Sequence, residues 1–131
     1  MSTLEEIRAF FAQDRYATQA TGIQIDQAEP GYAKCSLTLG PEHQNAVGHV
    51  MGGVAFTLAD FVFAVATNTQ GGPTVTVTSQ ITYLSSPKGS RLIGESHLLK
   101  DGKRQCFYRV DITDDLGTPV AVVNVCGAHL G

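Results

Sequence analysis

Features that would mark several classes of protein are missing from this chain of 131 residues. Its basic residues form no block, and nine Lys and Arg against twelve Asp and Glu give a formal net charge of −3, which argues against a nucleic-acid groove. The three cysteines, Cys35, Cys106 and Cys126, have no CxxC spacing, and their odd number indicates reduced thiols in a reducing compartment. The four histidines have no metal-ligand spacing with Asp or Cys, so we expect no metal site.

We also expect no leader and no membrane span. Glu5, Glu6 and Arg8 interrupt any apolar run at the start, which predicts a cytoplasmic protein without a signal peptide. The one long apolar stretch, residues 50–66, contains two glycines and Asp60 and is followed by strand-like segments. A buried helix therefore fits this stretch better than a membrane span.

Apolar periodicity and turn residues predict a single α+β domain over residues 1–131. Ser2-x-x-Glu5 and Thr3-x-x-Glu6 resemble capping boxes, and an amphipathic helix is expected from there to about Ala17. The expected strands cover residues 22–28, 33–39, 74–84, 91–100, 104–113 and 120–130, with the long helix at 50–66 between the second and the third. Strands joined by tight turns predict an antiparallel sheet with the helices on one face.

Two turn signals fix boundaries within this pattern. Gly71-Gly72-Pro73 is expected to end the long helix. Asp101-Gly102 is expected to form a two-residue hairpin turn between the fourth and fifth strands.

Asp60 is the one carboxylate in the apolar helix, where Thr57 is the only other polar side chain. A buried Asp needs a partner or a shifted pKa. One explanation is structural, namely a bond to a loop amide or an Arg, or a position at a subunit interface. The other is chemical, because Gly52 and Gly53 open the helix, where free N–H groups favour a developing anion and a substrate can approach the backbone closely.

The helix geometry separates these two features. Asp60 lies eight residues beyond Gly52, a rise of about 12 Å along the helix. The two can act on one carbonyl only if Asp60 comes from a second copy whose helix runs antiparallel. The sequence therefore predicts an active site shared across a two-fold dimer.

The same residues resemble a known motif. Residues 43–53 read HQNAVGHVMGG and are followed by Leu58-Ala59-Asp60, close to H-x-N-x-x-G-x-x-H-G-G and then L-x-D in the hotdog-fold thioesterases. The nearest group includes the phenylacetate-degradation thioesterases and the thioesterase-superfamily acyl-CoA hydrolases. Residues 81–84 and the hairpin at 100–103 are also similar to this family, and the resemblance covers about residues 20–130.

The resemblance implies a hotdog fold, in which a sheet of about six strands wraps a long central helix, with a further helix at the N-terminus. It also implies an acyl-CoA thioesterase without a cofactor, acting as a homodimer or a dimer of dimers. Asp60 would be the general base or the nucleophile, and the Gly52 amide would polarise the thioester carbonyl. Asn45 would orient the substrate or the attacking water, and Thr76 would help to hold that water.

Five further positions are assigned to substrate binding: Gly53, Met51, His43, Lys103 and Arg104. Lys103 and Arg104 are expected to meet the CoA phosphates, with solvated turn charges as the alternative. The alternative for His43 is that it is an ordinary loop histidine.

Met51 departs from the family, which usually has His at this position, and methionine makes no strong hydrogen bond. Three consequences stay open: slower turnover, a more apolar acyl pocket, or acyl-CoA binding without hydrolysis. A hydratase of the same fold is a weaker alternative, because no Asp and His pair lies beside Asp60.

Overall fold

The computed structural model describes residues 3–69 and 72–131. Within them, helix α1 covers Leu4–Phe11 and helix α2 covers Gly52–Asn68. The strands are β1 (Gln24–Glu29), β2 (Tyr32–Thr38), β3 (Thr74–Tyr83), β4 (Arg91–Asp101), β5 (Gln105–Asp114) and β6 (Pro119–His129). A π-helical turn at Tyr16–Ala20 and a 3-10 turn at Pro41–His43 complete the described elements.

The six strands form one antiparallel sheet in the order β1-β2-β4-β5-β6-β3, which leaves β1 and β3 at its edges. Helix α2 packs on this sheet with one side buried. The buried residues of that side are Ala55, Leu58, Ala59, Phe61, Val62, Phe63, Val65 and Ala66. Gly127 of β6 allows the close approach, because a Cβ at this position would lie 2.5 Å from Cζ of Phe63. The predicted hotdog architecture, a six-stranded antiparallel sheet around a central helix, is confirmed.

The first helix is shorter than predicted, since α1 ends at Phe11 and not near Ala17. Ile7 and Phe11 bury one face of α1. The next positions on that face are Asp14 and Arg15, so a longer helix would bury no further apolar side chain. The Thr3 capping box with Glu6 is present, with the Thr3 hydroxyl accepting from the Glu6 N–H at 3.1 Å. Ser2 of the other predicted capping box and Gly71 of the predicted helix stop lie outside the described residues.

The hairpin between β4 and β5 turns two residues later than predicted. Asp101 is still paired with Cys106 in the ladder, and the Gly102 N–H donates to the Gln105 carbonyl at 2.7 Å. Lys103 and Arg104 therefore form the tip. Asp-Gly favours a turn locally, but the ladder between the two long strands continues through Asp101 and moves the turn to the next residues.

Asp114 anchors the connection between β3 and β4. Its carboxylate accepts from the Lys88 N–H at 2.7 Å, the Gly89 N–H at 2.9 Å and the Thr118 N–H at 2.8 Å. Burial works to raise the pKa of Asp114, but these donors outweigh it and hold the pKa well below its usual range. The anchored connection runs beside the N-terminus of α2, where Pro87 and Gly52 line one cavity.

Candidate active site

One side of α2 is left uncovered by the sheet. Gly53, Phe56 and Asp60 follow each other on this side and are all exposed, with Phe56 at 38%. Asp60 is therefore exposed in the single chain, and the expectation that it is buried is wrong there. The spacing of three and four residues places these side chains on one helical face.

Asp60 lies in a cavity of about 280 Å³ between α2 and the segment that follows α1. Asp14 and Tyr16 line the cavity from that segment, and Thr57 lines it from α2. Surrounding protein atoms desolvate the carboxylate and raise the pKa of Asp60, and the charge of Asp14 raises it further. A hydrogen bond from the Thr76 hydroxyl works in the opposite direction. The net rise in pKa makes Asp60 a stronger base than a fully solvated carboxylate.

The N-terminus of α2 presents free backbone donors. Met51 is the N-cap residue, but its side chain makes no capping bond and is 58% exposed. The N–H groups of Gly52 and Gly53, at the first two helical positions, have no acceptor within the helix. The Tyr83 hydroxyl donates to the Gly52 carbonyl at 2.8 Å, and a Cβ at Gly52 would lie 2.7 Å from that hydroxyl. A glycine is thus needed here for the close approach of Tyr83.

The loop before α2 is held by its own polar side chains. His43 is buried, its Nδ1 accepts from the Gly40 N–H at 2.9 Å and its Nε2 lies 2.8 Å from the Thr21 carbonyl. Both ring nitrogens are therefore engaged within the chain. The Asn45 side-chain oxygen accepts from the N–H groups of Val47 and His49, both at 3.1 Å, which leaves the Asn45 amide nitrogen available to a ligand.

The structure brings some of the predicted residues together and separates others. Thr76 meets Asp60, and Met51 adjoins Gly52. Gly52 and Asp60 remain about 12 Å apart along the same helix. Lys103 and Arg104 lie at the hairpin tip, where the Arg104 carbonyl accepts from the His129 N–H at 2.9 Å, beside the carboxyl end of α2 and away from its N-terminus.

Sequence reasoning missed Asp14, Tyr16 and Tyr83. Asp14 and Tyr16 follow a helix that ends early, and only the tertiary fold turns them towards Asp60. Tyr83 ends a strand whose sequence resembles that of the family. Its hydroxyl bonds the Gly52 carbonyl, which is 31 residues away in sequence. No local pattern signals any of these three contacts.

Two classes of site find no support in the part of the chain that the structure describes. No group of three or more His, Cys, Asp or Glu is placed there to hold a metal ion. Of the helices in residues 3–69 and 72–131, none has the length and apolar character needed to cross a membrane.

The chain is similar to proteins of one known family. Residues 47–121 match the family profile of the thioesterase superfamily. Human acyl-coenzyme A thioesterase 13 is 34% identical over 133 residues, a match covering 99% of this chain and 95% of that protein. The solved E. coli PaaI protein, from the phenylacetic acid degradation operon, has a TM-score of 0.84 at 25% identity, over 98% of this chain and 97% of its own. Zebra fish thioesterase superfamily member 2 has a TM-score of 0.83 at 26% identity and covers 100% of both chains.

The profile match spans more than half of the 131 residues, and the human relative is similar over almost the whole chain. This chain belongs to the thioesterase superfamily.

Proposed function

We propose that this chain hydrolyses acyl-CoA thioesters, at a site shared by two copies of the chain. The observation that carries the proposal is that α2 has a carboxylate of raised pKa, Asp60, and the free amides of Gly52 and Gly53 along its uncovered side and amino end. Thioester hydrolysis needs a base to activate water and fixed donors for the oxyanion, which these groups can supply. The name of the human relative, acyl-coenzyme A thioesterase 13, points to the same reaction.

The edge strand β3 supports the dimer. It runs for ten residues with a hydrogen-bonded neighbour, β6, on one side only, and Val77 is 55% exposed and Tyr83 53%. A long apolar edge of this kind favours pairing with another chain. Pairing of β3 with β3 of a second copy would also cover the exposed side of α2.

The geometry of such a dimer would join the two halves of the site. A two-fold axis at the middle of Thr74–Tyr83 places Thr74 opposite the partner's Tyr83. Thr76 lies two residues, or about 7 Å, from Thr74 along the same strand. Tyr83 contacts Gly52 within its own chain. The pairing would therefore bring Asp60 and Thr76 of one subunit towards Gly52 of the partner subunit.

The reaction then follows from the roles of these groups. Asp60 accepts a proton from a water molecule that Thr76 helps to hold, and the resulting hydroxide attacks the thioester carbonyl. The Gly52 N–H of the partner subunit donates to the oxyanion. The tetrahedral intermediate collapses, the carbon–sulfur bond breaks, and the CoA thiolate takes the proton from Asp60. The products are a carboxylic acid and free CoA, and Asp60 is ionised again.

Two further assignments complete the proposal. The Asn45 amide nitrogen, which has no partner in the described residues, would orient the water or the acyl group. Lys103 and Arg104 lie at the same end of the sheet as Thr74. In the proposed dimer this end lies near Gly52 of the partner subunit, so the two side chains would contact the phosphates of a CoA bound there.

The direct test is the release of free thiol from a panel of short, medium, long and aryl acyl-CoA esters. We expect turnover of at least one member and a loss of about 10²-fold or more for Asp60→Asn. Asp26→Asn, the same change on the distant strand β1, is the matched control. Undiminished hydrolysis by Asp60→Asn, with Asp26→Asn also active, would show that Asp60 is not the base.

A single turnover in ¹⁸O-labelled water separates the two possible roles of Asp60. If Asp60 is the base, the label enters the acid product and the protein stays unlabelled. If Asp60 is the nucleophile, an acyl anhydride forms first and is detected as acylated protein when the turnover is quenched, and attack of water on the Asp60 carbonyl of that anhydride places label in the Asp60 carboxylate. We expect the first result, because Thr76 bonded to Asp60 is placed to hold a water beside it.

Met51 supports one alternative function, the binding of acyl-CoA without hydrolysis. Its exposed thioether makes no capping bond at the helix N-terminus, where the imidazole of a histidine could accept a hydrogen bond from a free helix N–H. A rise in melting temperature with acyl-CoA, no thiol release from any ester and a gain of turnover in Met51→His would favour this alternative.

A further inference from the structure

A second cavity, of about 440 Å³, lies at the carboxyl end of α2. Its walls come from the end of α2, from the turn between β1 and β2, and from the ends of β4 and β6. Pro30 and Leu98 add apolar surface. The volume falls in the range of small-molecule sites, and the cavity shares no lining residue with the one that holds Asp60.

A buried hydroxyl group lines this cavity without a partner. Thr69, at the C-cap of α2, is 1% exposed, and its hydroxyl has no hydrogen-bond partner among the residues that the structure describes. Tyr108, which is 3% exposed, lines the same cavity. Buried hydroxyls are normally bonded, so the unpartnered Thr69 hydroxyl at this cavity indicates a ligand with polar atoms.

The remaining polar groups form a chain along one wall. His129 Nδ1 lies 2.8 Å from the Thr74 hydroxyl, and His129 Nε2 lies 2.8 Å from Oδ1 of Asp101. A neutral ring with its proton on Nε2 satisfies both contacts, donating to Asp101 and accepting from Thr74. The second oxygen of Asp101 keeps its acceptor capacity towards the cavity.

The charge at this cavity is negative. Neither Lys nor Arg is among the described residues that line it, whereas Asp101 is. The last carbonyl groups of α2 add the negative end of the helix dipole. Burial raises the pKa of Tyr108 to about 12, and Cys106 and the Asp101 carboxylate add to the rise. An anionic ligand is therefore disfavoured and a cationic one is favoured.

We propose that this cavity binds a small primary ammonium compound that also carries a hydroxyl group. The ammonium group would donate to Asp101 and to the carbonyl end of α2, and the hydroxyl would bond Thr69 and Tyr108. The cavity shares no lining residue with the one that holds Asp60, and in the proposed dimer it lies at the end of the sheet that faces Gly52 of the partner subunit.

The test uses the whole protein with three probes of similar size: ethanolamine, ethylene glycol and glycolate, which carry a positive, a zero and a negative charge at neutral pH. Binding is followed through backbone amide chemical shifts. We expect ethanolamine to bind saturably, to shift the amides of Thr69, Tyr108 and His129, and to bind at least about tenfold more tightly than either other probe.

Variants decide which groups are responsible. Asp101→Asn keeps an acceptor for His129 Nε2 but removes the charge, and Thr69→Val keeps the side-chain shape but removes the hydroxyl. Each should weaken ethanolamine binding about tenfold, while the matched control Asp26→Asn should leave it unchanged. Equal binding of ethylene glycol or glycolate, shifts confined to the Asp60 cavity, or unchanged affinity in Asp101→Asn would each overturn the proposal.

Discussion

Gly52→Pro is the change that most selectively removes the proposed carbonyl donor. Proline is well tolerated at the first position of a helix, because the N–H that it lacks has no intrahelical acceptor there. Met51, the preceding residue, has φ −64° and ψ 138°, which is the extended conformation that proline requires of its neighbour. The substitution should therefore delete one N–H and leave α2 in place.

The expected effect follows from the role of that N–H. Loss of one oxyanion donor lowers kcat by about 10²–10³-fold, or about 2.7–4 kcal/mol of transition-state stabilisation. Because the donor acts on charge that develops during the reaction, kcat and kcat/KM should fall by the same factor.

Gly52→Ala is the matched control for steric effects. A Cβ at this position meets the Tyr83 hydroxyl at 2.7 Å, and proline brings the same Cβ, but alanine keeps the N–H. Steady-state thiol release by both variants, with melting temperatures measured alongside, separates the two effects. If a folded Gly52→Pro variant retains kcat within about threefold of the Gly52→Ala value, the carbonyl is not polarised at Gly52.

Three further predictions concern charge and packing. Asp14→Asn removes a charge that raises the pKa of Asp60, so the acidic limb of the kcat/KM profile should move to lower pH. Asp114 has a lowered pKa and stabilises the fold above the unfolded-state pKa of about 3.9. Asp114→Asn should therefore lower the melting temperature at pH 7, and its difference from the parent should shrink as the pH falls from about 5 towards 2. Gly127→Ala places a Cβ 2.5 Å from Cζ of Phe63, and urea unfolding should show a loss of about 1–3 kcal/mol.

Each of these has an outcome that contradicts it. An acidic limb that stays fixed in Asp14→Asn would mean that Asp14 does not act on Asp60 during catalysis. A melting difference for Asp114→Asn that is as large at pH 2 as at pH 5 would assign the effect to packing and not to the charge. A Gly127→Ala variant as stable as the parent would show that Phe63 can move away from β6.

The sequence contained enough to predict the order of the main elements. The alternation of polar and apolar residues in β2 fits a strand, and the long, mostly apolar run of α2 fits a buried helix. The type of each element could therefore be predicted. The errors in element boundaries arose where the residues of a short segment favour one structure and long-range contacts impose another. Asp101 and Gly102 have the residues of a turn, but Asp101 is held in the ladder by its pairing with Cys106.

The sequence predicted the main residues of the candidate site but not the residues and surfaces around them. A single carboxylate in an apolar helix identified Asp60, and the paired glycines identified the helix start. An apolar helix face looks the same in sequence whether its own sheet or a second chain covers it. The sequence therefore left open whether Asp60 is buried or lies at a subunit interface, and it gave no sign that Phe56 is exposed. The approach of Asp14 depends on where the chain runs after α1, which no residue pattern encodes.

The shared site is tested most directly by complementation between two inactive variants, Asp60→Asn and Gly52→Pro, unfolded together in equal amounts and refolded. Half of the dimers formed at random are mixed, and each mixed dimer holds one site with an intact Asp60 and an intact Gly52. A site shared between subunits therefore predicts recovery of about a quarter of the parent activity. Activity that stays at the level of the two variants refolded separately would place both groups of the site within one chain, or in no common site, and would contradict the shared-site mechanism.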